Sequence, residues 1–292
     1  MSAREATLVN RIEEIITAYD TRGISALSPH LPVGYCDNAA GFLGDAEGTV
    51  FITTGFYILN AGTAETDGPP GALAIGRALE GLGRRVLYVT DDRAAALMEA
   101  LVSTEAVLRF PICGDAESTT YASELLRAYR PALVIATERC GRTSNGTYLN
   151  MRGHDISAFT ARVDALFENS IQSIGIGDGG NEIGMGNVAE FFPRYAPRLP
   201  GIAVHPCVTR TTRLIIASVA DWGAYGLLAA LSGQLKRNLL PSAKDQSAII
   251  ERLVGLGAVD GVTGKGTATV DGHDLEANSN ILHTLHTLIR TS

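Results

Sequence analysis

The most constraining feature of the sequence is an alternation of strand-like and helix-like segments between residues 49 and 137. β-Branched and aromatic runs are separated there by stretches whose apolar residues recur at helical spacing. Such alternation predicts right-handed βαβ crossovers, and therefore an α/β fold whose mainly parallel sheet is flanked by helices. The predicted elements are strands at 49–58, 85–90, 106–112 and 132–137, and helices at 72–82, 93–102 and 118–129.

The rest of the chain fits a single domain built on this alternation, residues 1–292. Residues 1–48 hold a predicted packing helix at 4–19, followed by a covering loop without periodicity. Residues 49–186 form the βα core, which carries the polar loops. Residues 187–292 are predicted to be mostly helical, with a hairpin-like segment before the last helix. The helices predicted in this part cover residues 188–195, 209–220, 222–234, 243–256 and 275–289.

Charge and hydropathy argue against two classes of partner. The chain has 24 basic and 31 acidic residues, whereas a surface that binds nucleic acid needs clustered Lys and Arg. No apolar run is long enough to span a bilayer, and the N-terminus lacks the basic-then-apolar order of a secretion signal. We therefore expect a cytoplasmic protein that binds a small molecule and neither nucleic acid nor membrane. Assembly into a homo-oligomer stays open.

A glycine-rich stretch, residues 175–186, carries the strongest functional signal. Six glycines surround Asp178, Asn181 and Glu182, after a predicted strand at 171–176. Glycine permits left-handed turns and a close approach of backbone to a ligand. The stretch fits Gly-x-Gly-x-x-Gly, but its two carboxylates would lie where a pyrophosphate must approach, which argues against a dinucleotide site. If a helix begins near Gly180, the carboxylates either cap that helix or share one functional face.

Other polar residues follow the predicted strands, and ligands of parallel sheets gather beyond the carboxyl ends of strands. Arg139 and Arg142 could bind a carboxylate through the guanidinium fork or form local salt bridges. A shared acidic pocket is favoured over independent helix caps. A mixture of acids, arginines and amides suits a zwitterionic substrate such as an amino acid. The acidic residues at these strand ends are Glu65, Asp67, Asp91, Asp92 and Glu138.

Four segments resemble the signature segments of the D-glutamate cyclase family. They are Glu-Thr-Asp-Gly-Pro-Pro-Gly-Ala at 65–72, Glu-Arg-Cys-Gly-Arg at 138–142, Gly-Asp-Gly-Gly-Asn-Glu-Ile-Gly-Met-Gly at 177–186 and Asp-Trp-Gly-Ala-Tyr at 221–225. The resemblance runs from about the first helix to the end of the chain, and the glycine segment is its most specific part. It implies a lyase of D-amino acid metabolism, a hydro-lyase that cyclises D-glutamate to 5-oxo-D-proline. Cys140 departs from the pattern, where a small residue such as Ala is expected.

The resemblance also suggests roles for individual residues. Arg139 and Arg142 are expected to bind the substrate carboxylates. Glu182 is expected to transfer protons, and Asp178 to bind the substrate ammonium group or a divalent ion, with Asn181 beside them.

Other groups complete the expected site. The backbone N–H groups of Gly179 and Gly180 are expected to stabilise a tetrahedral oxyanion. The remaining residues expected around the substrate are Glu65, Asp67 and Glu138.

The acidic pocket leaves a cofactor and two other functions open. The sequence alone establishes no cofactor, but Glu65, Asp178 and Glu182 could hold Mg²⁺ or Mn²⁺. With such an ion the same pocket would suit a metal-dependent hydrolase such as a phosphatase. A non-catalytic amino-acid-binding regulator is a third hypothesis, which turnover of D-glutamate would contradict.

Overall fold

A six-stranded parallel sheet forms the centre of the protein. The computed structural model describes residues 11–168, 171–195 and 205–290. The predicted α/β class with a mainly parallel sheet is confirmed. A small antiparallel pair, Tyr57–Ile58 with Thr63–Ala64, lies outside the main sheet. The strands are β1 (Thr49–Thr53), β2 (Tyr57–Ile58), β3 (Thr63–Ala64), β4 (Arg85–Thr90), β5 (Val107–Arg109), β6 (Leu133–Thr137), β7 (Ser173–Gly177) and β8 (Arg213–Ile216).

Helices connect the strands and cover the sheet. None of the described helices has the length and apolar composition that a bilayer-spanning helix requires. The last three helices make the C-terminal part mostly helical, as predicted. The helices are α1 (residues 11–16), α2 (Tyr35–Asp45), α3 (Pro69–Gly81), α4 (Asp92–Glu99), α5 (Asp115–Tyr129), α6 (Phe192–Tyr195), α7 (Ala220–Leu235), α8 (Ala243–Gly255) and α9 (Leu275–Arg290).

The order of the strands places a crevice beside β1. The order is β5-β4-β1-β6-β7-β8, so the chain builds the sheet outward from β1 in one direction and then in the other. Loops that leave the carboxyl ends of β1 and β6 therefore diverge, and ligands of open α/β sheets bind at such a switch point. The glycine-rich stretch follows β7 rather than β1, whereas a dinucleotide fingerprint belongs to the first βα turn.

The central strands are apolar along their whole length because both faces of the sheet are covered. Residues 50–52 of β1 and 133–136 of β6 are fully buried, which is typical of parallel strands between helix layers. Helix α7 is buried on nearly all sides, and its sequence is correspondingly apolar around the helix. Trp222 of α7 donates a hydrogen bond from Nε1 to Asn278 Oδ1 of α9, at 2.7 Å.

Two segments differ from the sequence prediction. The loop predicted at 20–48 contains a 3-10 helix, Ile24–His30, and α2. Helix α2 holds two glycines, which weaken its periodic signal although one face is buried. Residues 4–10 of the predicted first helix lie outside the described residues.

The helix predicted at 209–220 is also wrong, because the edge strand β8 occupies that segment. Ile174 of β7 is in register with Arg213, and Gly177 with Ile216. Residues 214–216 are buried on both faces of the sheet. A short continuous apolar run of this kind does not distinguish a buried strand from a buried helix. The helix predicted at 188–195 is reduced to a 3-10 turn and α6.

A half-buried carboxyl group on α1 is expected to make stability depend on pH. Burial raises the pKa of Glu13 from 4.5 to about 7, while its Oε1 accepts the N–H of Cys36 at 3.3 Å. The folded protein therefore holds this proton more tightly than the unfolded chain does. Its contribution to stability is complete below pH 4.5 and is lost as the pH rises to about 7.

Glu13→Gln should remove this part of the pH dependence. We expect the variant to be more stable than the wild type by about 1–2 kcal/mol at pH 8, after allowing for partial exposure of the group. Near pH 4 the two proteins should be equally stable, as urea unfolding at both pH values would show. An equal gain at both values would mean that Glu13 does not titrate on folding.

Candidate active site

A polar cleft opens at the carboxyl ends of the strands and holds about 590 Å³, part of it open to solvent. Its walls come from residues 56–60 after β1, Glu138 after β6, the loop residues 150–152, the glycine-rich loop after β7 and the turns between 261 and 271. The cleft therefore lies at the switch point of the sheet.

Buried carboxyl groups dominate the inner wall of the cleft. Glu65, Glu138 and Asp178 all border it and are 6% exposed or less. Burial is the main cause that raises the pKa of each group well above its usual value, and neighbouring carboxylates add to it. Arg22 opposes this shift for Glu65 and Asp178. The wall can therefore hold protons or a cation at neutral pH.

A largely buried arginine that the sequence did not single out lies among these carboxylates. Arg22 forms ion pairs with Asp178 through Nη1 and with Asp271 through Nη2, and its side chain is 12% exposed. Burial alone would lower the pKa of Arg22, but the two carboxylates raise it, so the guanidinium group stays charged. Asp271 lies 249 positions further along the chain, a separation that no local pattern reports.

The turn that carries Arg22 is fixed by a neighbouring carboxylate. Asp20 Oδ1 accepts the backbone N–H groups of Arg22, Gly23 and Ile24, at 3.1, 2.7 and 3.1 Å. Its Oδ2 accepts the N–H and the hydroxyl of Ser25. Together these bonds lower the pKa of Asp20, although burial opposes them. The Arg22 side chain thus extends from a rigid turn into the cleft.

Behind the cleft, two helix N-termini are capped by each other's aspartates. Asp67 accepts the N–H groups of Ala220 and Asp221 at the start of α7, both at 2.9 Å. In return Asp221 Oδ1 accepts the N–H groups of Gly68 and Gly71 at the start of α3, at 3.0 and 2.7 Å. Burial raises the pKa of both aspartates. Asp221 belongs to a recognised segment, but the sequence did not identify it as a site residue.

The glycine-rich loop does not begin a helix at Gly180, which corrects that expectation. Residues 178–184 form bends and turns, and Gly180 and Gly184 have φ angles of 107° and 106°. The loop folds back on β7, where a Cβ on Gly175 would lie 2.5 Å from the carbonyl oxygen of Ile183. Asp178 and Glu182 are therefore brought together by a compact loop rather than by helical spacing.

The expected oxyanion donors are already used by Glu182. Gly179 donates its N–H to Oε1 at 2.8 Å, and Gly180 donates its N–H to Oε2 at 2.7 Å. Both backbone groups face a carboxylate rather than open space, so the expected oxyanion site is not formed. Asn181 borders the cleft and donates its side-chain amide to the carbonyl oxygen of Leu149, at 3.0 Å.

Arg139 and Arg142 lie outside the lining of the cleft, contrary to the expectation from sequence. Arg139 is 1% exposed and bonds Asp91 through Nη2 at 2.5 Å and the carbonyl oxygen of Gly55 through Nη1 at 2.8 Å. Arg142 is a half-exposed residue that pairs with Glu168 at 2.6 Å. The second arginine on the cleft wall is Arg152.

A group of three carboxylates that could share one ion differs from the expected metal ligands. Asp67, Glu138 and Asp178 each offer one oxygen, and these three atoms lie within 4.8 Å of one another. Of the expected set of Glu65, Asp178 and Glu182, this group contains only Asp178.

Two comparisons with known proteins point to the same family. The family described as D-glutamate cyclase-like, C-terminal, matches residues 12–286. Human mitochondrial D-glutamate cyclase is 34% identical over 203 residues, which are 63% of this chain and 32% of that protein. The chain thus spans about a third of the length of this relative.

A solved structure is more distant. An exopolyphosphatase-related protein from Bacteroides fragilis superimposes with a TM-score of 0.44 and 10% identity, covering 88% of this chain and 57% of that one. The two chains are too dissimilar for any function to be transferred.

Proposed function

The chain belongs to the D-glutamate cyclase-like family, and on that premise we propose that it converts D-glutamate into 5-oxo-D-proline with loss of water. The observation that carries the proposal is the family match over residues 12–286, which includes every residue that borders the cleft. The cleft combines acidic groups with a largely buried guanidinium group, as an amino acid with two carboxylates requires.

Cyclisation needs both orientation and proton transfer. The C–N bond forms between the amino nitrogen and the γ-carboxyl carbon, and a C–O bond of that carboxyl group breaks. Two protons move from the ammonium nitrogen to the departing oxygen, which leaves as water, so no net proton is consumed. Binding holds the two ends of the substrate together before the reaction, so less entropy is lost on reaching the transition state. Acid–base groups of the protein move the protons.

Arg22 is the residue that we assign to a substrate carboxylate, in place of Arg139 and Arg142. A guanidinium group has five N–H donors, and its two ion pairs with Asp178 and Asp271 leave donors for a further acceptor. Arg152 lies on the exposed part of the cleft wall, where it can contact the second carboxylate.

The carboxyl groups of the inner wall provide the remaining chemistry. Asp178 borders the cleft beside Arg22 and is assigned to the substrate ammonium group. Glu65 and Glu138 are assigned to proton transfer, because Glu182 is already bonded to two backbone N–H groups. This revises the role expected for Glu182, which now holds the glycine-rich loop in shape.

A direct assay tests the proposal. The protein should be incubated with D-glutamate and, separately, with L-glutamate, each with and without millimolar MnCl₂. Chiral chromatography should detect 5-oxo-D-proline from the D enantiomer and far less product from the L enantiomer. Absence of product from both enantiomers under both conditions would rule out the cyclase function.

A further inference from the structure

We propose that Asp67, Glu138 and Asp178 bind one hard divalent cation, of the Mg²⁺ or Mn²⁺ class, at the inner end of the cleft. Their nearest oxygens lie within 4.8 Å of one another. Metal–oxygen distances of these ions are about 2.0–2.2 Å. Three oxygens this close can therefore meet around one ion after small side-chain movements, and water or substrate would complete its coordination.

Unpartnered oxygens give an independent indication of a ligand. Glu138 Oε2 and Asp178 Oδ2 are buried and have no hydrogen-bond partner in the described part of the chain. The two residues are 6% and 1% exposed, and both border the cleft. A buried carboxylate oxygen without a donor is costly. A cation between the two residues would satisfy both atoms.

The backbone around Glu138 is strained and closely packed. Glu138 has a φ angle of 45°, a left-handed conformation that residues other than glycine seldom adopt. Gly68 makes room for it, because a Cβ at that position would lie 2.7 Å from Glu138 Cβ. Strain of this kind gathers at functional sites.

The other two ligands are held in place by bonds that leave an oxygen or a lone pair available. Backbone N–H groups of α7 hold both carboxylate oxygens of Asp67. Arg22 binds Asp178 through Oδ1 and leaves Oδ2 without a hydrogen-bond partner among the described residues. Supported ligands of this kind bind metals more tightly than freely rotating ones.

The charge of the surroundings also favours a cation. In the part of the chain that the structure describes, Arg22 is the cation that forms ion pairs with the clustered carboxylates. A divalent ion would offset part of the remaining negative charge. The carboxylates of this cluster are Glu65, Asp67, Glu138, Asp178, Glu182, Asp221 and Asp271.

The cation site does not depend on the cyclase proposal, although it would deepen it. In that reaction a bound cation would supply Lewis-acid polarisation of the γ-carboxyl group. Asp178 and Glu138 would then act as ligands of the ion, in place of the ammonium contact and the proton transfer assigned to them above, and Glu65 would remain for proton transfer.

Titration of the metal-free protein with MnCl₂ tests the site. The full chain is first treated with EDTA and dialysed, and free Mn²⁺ is then counted by electron paramagnetic resonance and binding heat by calorimetry. We expect one Mn²⁺ per chain, displaced by excess Mg²⁺. Glu138→Gln and Asp178→Asn should each weaken binding by about 100-fold or more, while Glu13→Gln, a Glu-to-Gln change outside the cluster, should bind normally.

The same ion should raise the melting temperature of the wild type and of Glu13→Gln, but not that of the two ligand variants. Circular dichroism shows which of the two ligand variants fold. If Glu138→Gln or Asp178→Asn does not fold, Asp67→Asn is tested in its place. No Mn²⁺ binding to the wild type at millimolar concentration would overturn the site. Unchanged binding in the folded ligand variants would overturn it as well.

The design separates this inference from the cyclase proposal, because binding is measured without substrate. A chain that binds one Mn²⁺ through these residues yet makes no 5-oxoproline supports the site and contradicts the cyclase function. A chain that cyclises D-glutamate without binding Mn²⁺ overturns the site alone.

Discussion

Arg22→Gln is expected to lower kcat/KM for cyclisation of D-glutamate by about 10²–10³-fold. Removing one member of a buried, hydrogen-bonded charge pair costs about 2–5 kcal/mol, and each 1.4 kcal/mol is a factor of ten. Here the lost group pairs with Asp178 and Asp271 on the wall of the cleft, where we also assign it a substrate carboxylate. Steady-state assays of 5-oxo-D-proline formation, below the melting temperature of the variant, measure the effect.

Two further variants make the Arg22 experiment specific. Arg22→Lys keeps the charge but loses the bidentate fork, so it should recover part of the activity. Arg142→Gln removes a half-exposed arginine that pairs with Glu168 outside the cleft, and its kcat/KM should stay within about twofold of wild type because such exposed pairs contribute little. Loss of turnover in folded Arg142→Gln with normal turnover in Arg22→Gln would reverse our assignment.

Arg139→Gln is expected to destabilise the fold by about 3–5 kcal/mol, the typical cost of leaving a buried charge unpaired. Arg139 and Asp91 are 1% and 2% exposed, and the guanidinium group also bonds the carbonyl oxygens of Gly55 and Ala161, at 2.8 and 2.9 Å. Urea unfolding measures the loss. Because the side chain does not border the cleft, KM of the folded fraction should stay close to the wild-type value.

A second substitution identifies the cause of that loss. Adding Asp91→Asn to Arg139→Gln removes the unpaired carboxylate and should restore part of the stability, giving a favourable coupling energy in a double-mutant cycle. The Asn side chain can still accept the N–H of Arg93, which Asp91 caps at 3.0 Å. Wild-type stability of Arg139→Gln together with a raised KM would return Arg139 to the substrate site.

Much of the fold is encoded in local patterns. The strand at 85–90 matches β4 residue for residue, and the other predicted core strands overlap β1, β5, β6 and β7. These elements are recognisable because side chains repeat with the period of the strand or helix that buries them. The errors fall in two kinds of segment. Strand β8 is too short to show a period, and the periodic pattern of α2 is interrupted by glycine.

The residues of the site were partly predictable from the sequence as well. Glu138, Asp178, Asn181 and Glu182 border the cleft because they follow β6 and β7, whose carboxyl ends meet at one edge of the parallel sheet. Glu65 also borders the cleft, but it follows β3 of the small antiparallel pair. Their direct contacts were not predictable. The N–H groups of the glycine-rich loop bind Glu182, a bond that depends on how the loop folds back.

By itself, the sequence determined the α/β class, the family and the group of acidic loops, since each rests on the order of residues along the chain. Only the tertiary structure decided which charges meet. It brought Arg22 from the N-terminal turn to Asp178 and Asp271, and it turned Arg139 away from the cleft toward Asp91. Ion pairs between residues far apart in sequence leave no periodic signal, because they form only when the packed sheet brings distant loops together.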